Sequence, residues 1–526
     1  MNILFLLRRR RMTTRNIIKE NTYLDSIMLM SISSSLKNLE SVEEVSTIMG
    51  TNANKEILKN TGLLTDDGMK AGPGDLIIAL RVKNESAVKS VTEKAEELFS
   101  RRASESGGEK DFVPVSYEAA IKIMPTANIA VISLPGQYAA REAMTVLESG
   151  RHVMIFSDNV PLEEEIELKK RARELDLLVM GPDCGTAIVN GTALGFANVV
   201  RKGPIGIVGA SGTGIQEVTS LIHNRGHGIS QAIGLGGRDL SEDVGGISML
   251  QGIQALENDP ETKVIVLISK PPAAGVANKI FESIKGLKKK YIVNFLKGDP
   301  AEASKRKVLF AAGLEEAAQL AISVLENRDF KHLNFTEDEE KIKAEAAKVK
   351  AGLGKSKYIR GLFSGGTLAD EALLILSGEI GDIHSNIPLK KELALKDSGK
   401  SQKNTIVDLG EDEFTIGRPH PMIDNNLRCE RLLEEAEDPE CGVILLDVVL
   451  GYGSHPDPAG ALVPIIKKAQ ETAAGSGRNL AFVASITGTD RDPQNLKGQK
   501  AALENSGVRV LPSNAQAARY TALLVK

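Results

Sequence analysis

The stretch Gly203-Pro-Ile-Gly-Ile-Val-Gly-Ala-Ser-Gly-Thr-Gly-Ile-Gln-Glu-Val218 constrains the fold more than any other. Residues 205–208 form a short apolar strand, and Ile215, Val218, Leu221 and Ile222 recur at helical spacing until Gly226 stops the helix. Gly209 to Gly214 is left as a loop of small residues. Such a loop lets backbone N–H groups approach a ligand, Ser211 and Thr213 add hydroxyls, and the helix N-terminus adds unpaired donors and partial positive charge. An anion, phosphate or carboxylate, suits it. No Lys follows the glycines as in a P-loop, and Gly209-x-x-Gly212-x-Gly214 is not the dinucleotide fingerprint. The competing reading is a tight strand-to-helix turn.

The pattern returns later in the chain. Residues 358–363 read as a strand, Ser364-Gly-Gly-Thr367 as the loop, and Leu368, Ala372, Ile375 and Leu376 as one helical face ending near Gly378. A single anion held between two helix N-termini would use both loops. Around them strand and helix alternate: strands over 129–134, 152–156 and 177–180, then 229–233, 264–269 and 291–295, then 405–409, 443–450, 480–486 and 508–511. This predicts an α/β chain of several Rossmann-like or flavodoxin-like parallel-sheet domains. Before them, a strand over 26–31, a short helix carrying Val42, Val45 and Met49, a strand over 76–82 and a helix over 86–99 make a small α+β domain, followed by a polar linker over 101–110. Residues 330–356, charged and poor in apolar residues, read as a partly helical linker.

Loops at strand ends carry the remaining chemistry, because doubly wound sheets bind ligands there. They supply Asp183 and Cys184, Arg238, Lys270, Lys297, Arg418, His420, His455, Asp457, Asp490 and Arg491. For Asp183 and Cys184 a turn aspartate and a buried cysteine are the stronger readings. His420, His455 and Asp457 lack metal-ligand spacing, so no metal is expected. A net charge of -4, few aromatics and no Trp give nucleic acid no basic or stacking surface. No stretch is apolar for long enough to span a bilayer, and Cys184, Cys429 and Cys441 lack disulfide or metal spacing, so a cytoplasmic setting is expected. The segment Met1 to Arg11 has the wrong order for a signal peptide, and Met12 is an alternative start.

From about Phe112 onward the motif order resembles the succinyl-CoA synthetase superfamily, and within it the FdrA family. Met180-Gly-Pro-Asp-Cys-Gly185, Ile205 to Thr213, Gly234-Leu-Gly-Gly-Arg-Asp239 and Asn258 to Val266 look like the α-subunit, and Ser364-Gly-Gly-Thr367 onward like the end of the β-subunit. The resemblance implies domains over 1–110 (α+β and linker), 111–200 (CoA-binding-like), 201–329 (synthetase-like) and 357–526 (CoA-ligase-like), with the linker over 330–356 between the last two. In the ligases the two matching loops begin paired helices that hold the phosphate of a phosphohistidine. Here residues 297–313 contain no histidine, and Lys270 stands where the ligases have the glutamate that orients it. The usual CoA loop and ATP-binding domain also lack counterparts, so no cofactor is expected.

What the resemblance then implies is transfer without a phosphoenzyme. FdrA-like chains are linked to allantoin and purine catabolism, with companion subunits, as carbamoyltransferases exchanging oxalurate and phosphate for oxamate and carbamoyl phosphate. The phosphate site would be Ser211, Gly212, Thr213 and Gly214 with Ser364, Gly365, Gly366 and Thr367. Lys270 and His455 are the candidate catalytic residues, for charge neutralisation and proton transfer, and Arg238 and Arg491 the candidate clamps for an anionic metabolite. Companion subunits or a homo-oligomer are expected as partners. An acid–CoA ligase and a non-catalytic metabolite-binding scaffold remain as alternatives.

Overall fold

A computed structural model describes residues 12–526 apart from 21, 23, 25, 38, 106–113, 115, 307 and 417. The segment before Met12 therefore lies outside the described residues. The chain forms two compact units, one comprising residues 1–125 with 412–424 and the other 126–411 with 425–526.

The first unit is built on a three-stranded antiparallel sheet. Its central strand, Leu76–Val82, is apolar except for Arg81 and pairs with Thr13–Lys19 on one side and Val42–Met49 on the other. A strand buried on both faces needs cover on both. Helices Ser26–Lys37 and Glu85–Glu105 supply it on one face, where Ile32, Leu36, Val91 and Ala95 meet Ile78, Leu80 and Val82. On the other, Leu58 and Leu63 pack on Ile77 and Ala79.

Two expectations are corrected here: residues 26–31 are helical and 42–49 are a strand. Both are short apolar runs in which period alone does not separate helix from strand. The Val, Thr and Ile of 42–49 suit a pleated surface, and pairing with the central strand decides the matter. The strand Thr13–Lys19 was not anticipated, and the expected linker begins inside a helix that runs on to Glu105.

The second unit is α/β with three sheets. A short parallel sheet joins Ile129–Ile132, His152–Ile155 and Val179–Met180 in that order. A seven-stranded sheet has the order Leu309–Phe310, Lys290–Phe295, Val264–Ser269, Lys202–Ala210, Ile229–Gly234, Thr186–Val189, Thr192–Gly195. Its first five strands are parallel, and an unanticipated hairpin, Thr186–Val189 with Thr192–Gly195, closes the edge antiparallel. The third sheet is parallel throughout, in the order His384–Ser385, Thr405–Asp408, Tyr358–Phe363, Cys441–Val449, Ala481–Thr487, Val508–Leu511.

These strand orders place the two glycine motifs. From Lys202–Ala210 the chain goes first to one neighbour, Ile229–Gly234, and then to the other, Val264–Ser269. Tyr358–Phe363 is likewise flanked by Thr405–Asp408 and Cys441–Val449, added on opposite sides. Each is therefore the strand at which the sheet reverses direction, where the following loop opens into a crevice.

The expected boundary near 356 falls between two sheets of this one unit, whereas the one near 200 cuts through the seven-stranded sheet, separating the hairpin 186–195 from the strands it joins. Residues 330–356 hold helix Glu339–Leu353, whose Ile342, Ala346 and Leu353 are buried and whose Glu345 accepts from the Tyr520 hydroxyl at 2.9 Å. Its polar composition reflects a single buried stripe, and it is a packed element of the unit.

Candidate functional site

The six-residue loop expected over 209–214 is shorter in the structure. The strand continues to Ala210, Ser211 alone turns the chain, and the helix Gly212–Asn224 begins at once. Ser211 caps that helix, its hydroxyl accepting from the Gly214 amide at 3.0 Å. A side chain at Gly214 would collide with this hydroxyl, which explains the glycine. In the second motif Gly365 is the cap and the helix Gly366–Ile380 follows.

The two N-termini meet. Ser211 Oγ and Thr367 Oγ1 are hydrogen-bonded at 2.7 Å, and a Cβ on Gly365 would stand 2.9 Å from Thr213 Cγ2. Among the described residues no acceptor takes the backbone N–H of Gly212, Thr213, Gly366, Thr367 or Leu368. Thr213, Thr367 and Leu368 are buried, so their donors must be met by water or a ligand. Two helix dipoles add positive potential at the same point.

Ser364 and Gly365 have a different role from the one expected. Their amides donate to Asp447 at 2.8 Å each, and the Ser364 hydroxyl donates to it at 3.0 Å. Asp447 also accepts from Arg428 Nη1 at 2.9 Å, and both side chains are buried. These residues fix the loop and leave its open donors to Gly366, Thr367 and Leu368.

Lys270 and Lys297, from neighbouring strand ends, converge on Asp370, the fifth residue of the second helix. Lys270 Nζ is 3.0 Å from Oδ2 and Lys297 Nζ 3.8 Å from Oδ1. Burial works against the Lys270 charge, but Asp370 outweighs it and the ammonium pKa is raised, so it stays cationic at neutral pH. Asp408, at the end of Thr405–Asp408, joins the same place. A Cβ on Gly366 would come 2.6 Å from Asp408 Oδ2 and 3.7 Å from Lys270 Nζ. Burial pushes the Asp408 carboxyl up to about 7, against the pull of the Gly410 amide and Lys270. Sequence reasoning missed Asp370 and Asp408; the strand-end position of Asp408 was the available signal.

Three other expected site residues lie elsewhere. Arg238 donates to the Val160 carbonyl at 2.7 Å and pairs with Glu165 at 2.9 Å, in a buried ion network with Lys169 and Asp239. Asp239 caps helix Ile247–Asn258 through the Ser248 and Met249 amides, so this cluster is architectural. Arg491 adjoins His223, whose Nε2 is 2.6 Å from Asp490. His223 is twelve residues beyond Ser211 on one helix, about 18 Å along its axis. Arg491 therefore flanks the far end of that helix. His455 turns its Nδ1 onto its own loop, accepting from the Asp457 amide at 3.0 Å just before helix Pro458–Gly475.

Cys184 is a buried residue whose thiol is pushed up to about 12, and Asp183 occupies a left-handed turn position. His420 belongs to the first unit, and His455 and Asp457 to the second. Arg418 is exposed on the segment of His420.

Family models match three parts of the chain: a CoA-ligase domain at residues 362–524, a CoA binding domain at 200–298 and an AllF heavy metal-associated domain at 12–114. An uncharacterized Escherichia coli K12 protein, YahF, is 46% identical over 508 residues, covering 96% of this chain and 97% of that one. The chain belongs to the FdrA family. This FdrA-family chain is also 29% identical over 182 residues to the ADP-forming sulfoacetate-CoA ligase subunit SqwL of Acholeplasma sp, 33% of its own length and 60% of the subunit's. Among solved structures, PH0766 from Pyrococcus horikoshii OT3 aligns over 76% of this chain and 83% of its own at 16% identity, with a TM-score of 0.32. The family is thus acid–CoA ligase-like, and both glycine motifs lie in regions matched by the CoA-related models. Among the described residues no helix is long and apolar enough to cross a membrane.

Proposed function

We propose that this chain is the phosphate-binding subunit of a carbamoyltransferase that exchanges oxalurate and phosphate for oxamate and carbamoyl phosphate, acting with companion subunits. The observation that carries the reading is the set of five open amides at two touching helix N-termini beside Lys270 and Lys297. Hydrogen phosphate placed there is oriented by fixed donors and attacks the carbamoyl carbon without a covalent enzyme intermediate. The absence of histidine from residues 297–313 favours direct transfer over a phosphohistidine relay. Gly212, Thr213, Gly366 and Thr367 hold the phosphate, and Lys270 and Lys297 offset its charge.

A second reading, an acid–CoA ligase subunit, is favoured by the CoA-ligase and CoA-binding matches and by the similarity to SqwL. Incubating the purified chain, with and without its neighbouring gene products, with carbamoyl phosphate plus oxamate, and separately with ATP, CoA and dicarboxylates, separates the two. Turnover in the first mixture supports the transferase, whereas turnover confined to the second overturns it.

A further inference from the structure

We infer that Asp408 carries the proton that must cross from the attacking hydrogen phosphate to the departing nitrogen, and that Asp370 positions Lys270 and Lys297 beside it; this rests on the carbamoyl-transfer reading above. Two buried aspartates flank the start of helix Gly366–Ile380, and they are used differently. Asp447 is saturated by the Ser364 and Gly365 amides, the Ser364 hydroxyl and Arg428. Asp408 is only 2% exposed, yet it spends one oxygen alone: Oδ1 accepts from the Gly410 amide at 2.9 Å. Among the described residues Oδ2 accepts no hydrogen bond, and it lies against Gly366 on the side where Lys270 Nζ also stands. Any side chain at position 366 would fill that space. On a buried residue, a carboxyl oxygen left without a hydrogen-bond donor beside open amides and an ammonium is placed for a ligand.

The charges around Asp408 come from each neighbouring element: Lys270 after strand Val264–Ser269, Glu411 on its own loop, and Asp447 on Cys441–Val449. Asp370, on the helix, is offset by the two lysines. Burial dominates, and it keeps Asp408 protonated to near neutral pH, the range in which one group can both give and take a proton.

The transfer requires such a group. An oxygen of hydrogen phosphate forms a bond to the carbamoyl carbon, and the bond from that carbon to the acceptor nitrogen breaks. The nitrogen leaves as a neutral amide only if it gains one proton, while the phosphate oxygen must lose one. Protonated Asp408 gives its proton to the nitrogen and takes back the one released by hydrogen phosphate. Charge and hydrogen balance with no further reactant, and the reverse reaction uses the same group in the opposite sense.

The test uses the full chain with its companion proteins. Rates of N-carbamoyl transfer are measured across pH 5–9 for the wild type, Asp408→Asn and Asp408→Glu, with phosphate affinity measured by calorimetry on each. The expected result is a wild-type profile governed by a group near neutrality. Asp408→Asn should lower kcat by about 10²–10⁴-fold and remove that limb, with phosphate affinity changed by less than about tenfold, and Asp408→Glu should restore part of the rate. Wild-type turnover with an unaltered rate and profile in Asp408→Asn overturns the role of Asp408 alone. A loss that tracks phosphate affinity, with the pH limb retained, overturns it too. Absence of wild-type transfer overturns the carbamoyl reading and this inference with it.

Discussion

Asp447→Ala should be the most damaging single change near the site, and its cost follows from what Asp447 touches. The carboxylate is fully buried and accepts from two amides, one hydroxyl and the Arg428 guanidinium, itself 2% exposed. Deleting one partner of a buried ion pair typically costs about 3–5 kcal/mol, because the other charge is left uncompensated. The released Ser364 and Gly365 amides add to this, since each unmet buried donor costs about 1–3 kcal/mol where water cannot reach it. An expected loss of roughly 5 kcal/mol or more is comparable with the stability of a whole domain. Urea unfolding followed by circular dichroism would read it as a lowered midpoint or as separate early melting of the second unit. The double variant Asp447→Leu with Arg428→Met removes both charges and should recover part of the stability, but it should not recover phosphate binding, since the 364–367 turn has lost its anchor. A loss below about 1 kcal/mol for Asp447→Ala would refute the buried-pair reasoning.

Other consequences are separable. Gly212→Leu should abolish phosphate binding while leaving the circular dichroism spectrum intact, because a Cβ there meets only Thr186 Oγ1, at 3.3 Å. Arg491→Ala, beside His223 at the far end of the helix, should change phosphate affinity by less than about twofold, since charges beyond roughly 10 Å are screened in physiological salt. Calorimetric titration checks both. Glu217 lies fully buried where helices Gly212–Asn224 and Asn514–Val525 meet, accepting from the Thr487 hydroxyl at 2.5 Å and the Asn514 amide at 3.1 Å. Burial pushes its carboxyl up to about 7. The folded state then holds more protons than the unfolded one between about pH 4.5 and 7, so this group's contribution to stability falls as pH rises through that window. Glu217→Gln should accordingly stabilise the protein more at pH 8 than at pH 5, as read from thermal midpoints at the two values.

The parallel sheets were readable because their strands are buried on both faces. Runs such as Val264–Ser269 and Cys441–Val449 are buried along their whole length and almost wholly apolar, Asp447 and Ser269 being the polar exceptions. The first unit was harder. Its strands Thr13–Lys19 and Val42–Met49 carry mixed patterns, and only pairing with Leu76–Val82 fixes their state. The hairpin over 186–195 has four-residue strands, too short for a period to show.

The candidate site was legible in its backbone elements and less so in its side chains. The two Ser- and Gly-rich turns stood out because few local sequences bring a helix N-terminus so close to a strand end. Which strand-end charges converge depends on strand order. Lys270 and Lys297 follow adjacent strands, Val264–Ser269 and Lys290–Phe295, and meet one aspartate, whereas Arg238 is drawn into the ion network of Glu165 and Arg491 lies one helix length away. Asp370 and Asp408 were overlooked because an aspartate early in a helix or at the end of a strand reads as a surface residue. Only burial and the small size of Gly366 give them chemical meaning.

The central claim, one phosphate site shared by two helix N-termini, is tested most directly by amide hydrogen exchange across a phosphate titration. Peptides spanning residues 211–215 and 365–369 should both gain protection, with a common midpoint, while peptides around Arg238 and Arg491 stay unchanged. Protection of neither peptide, or of one alone, would contradict the account.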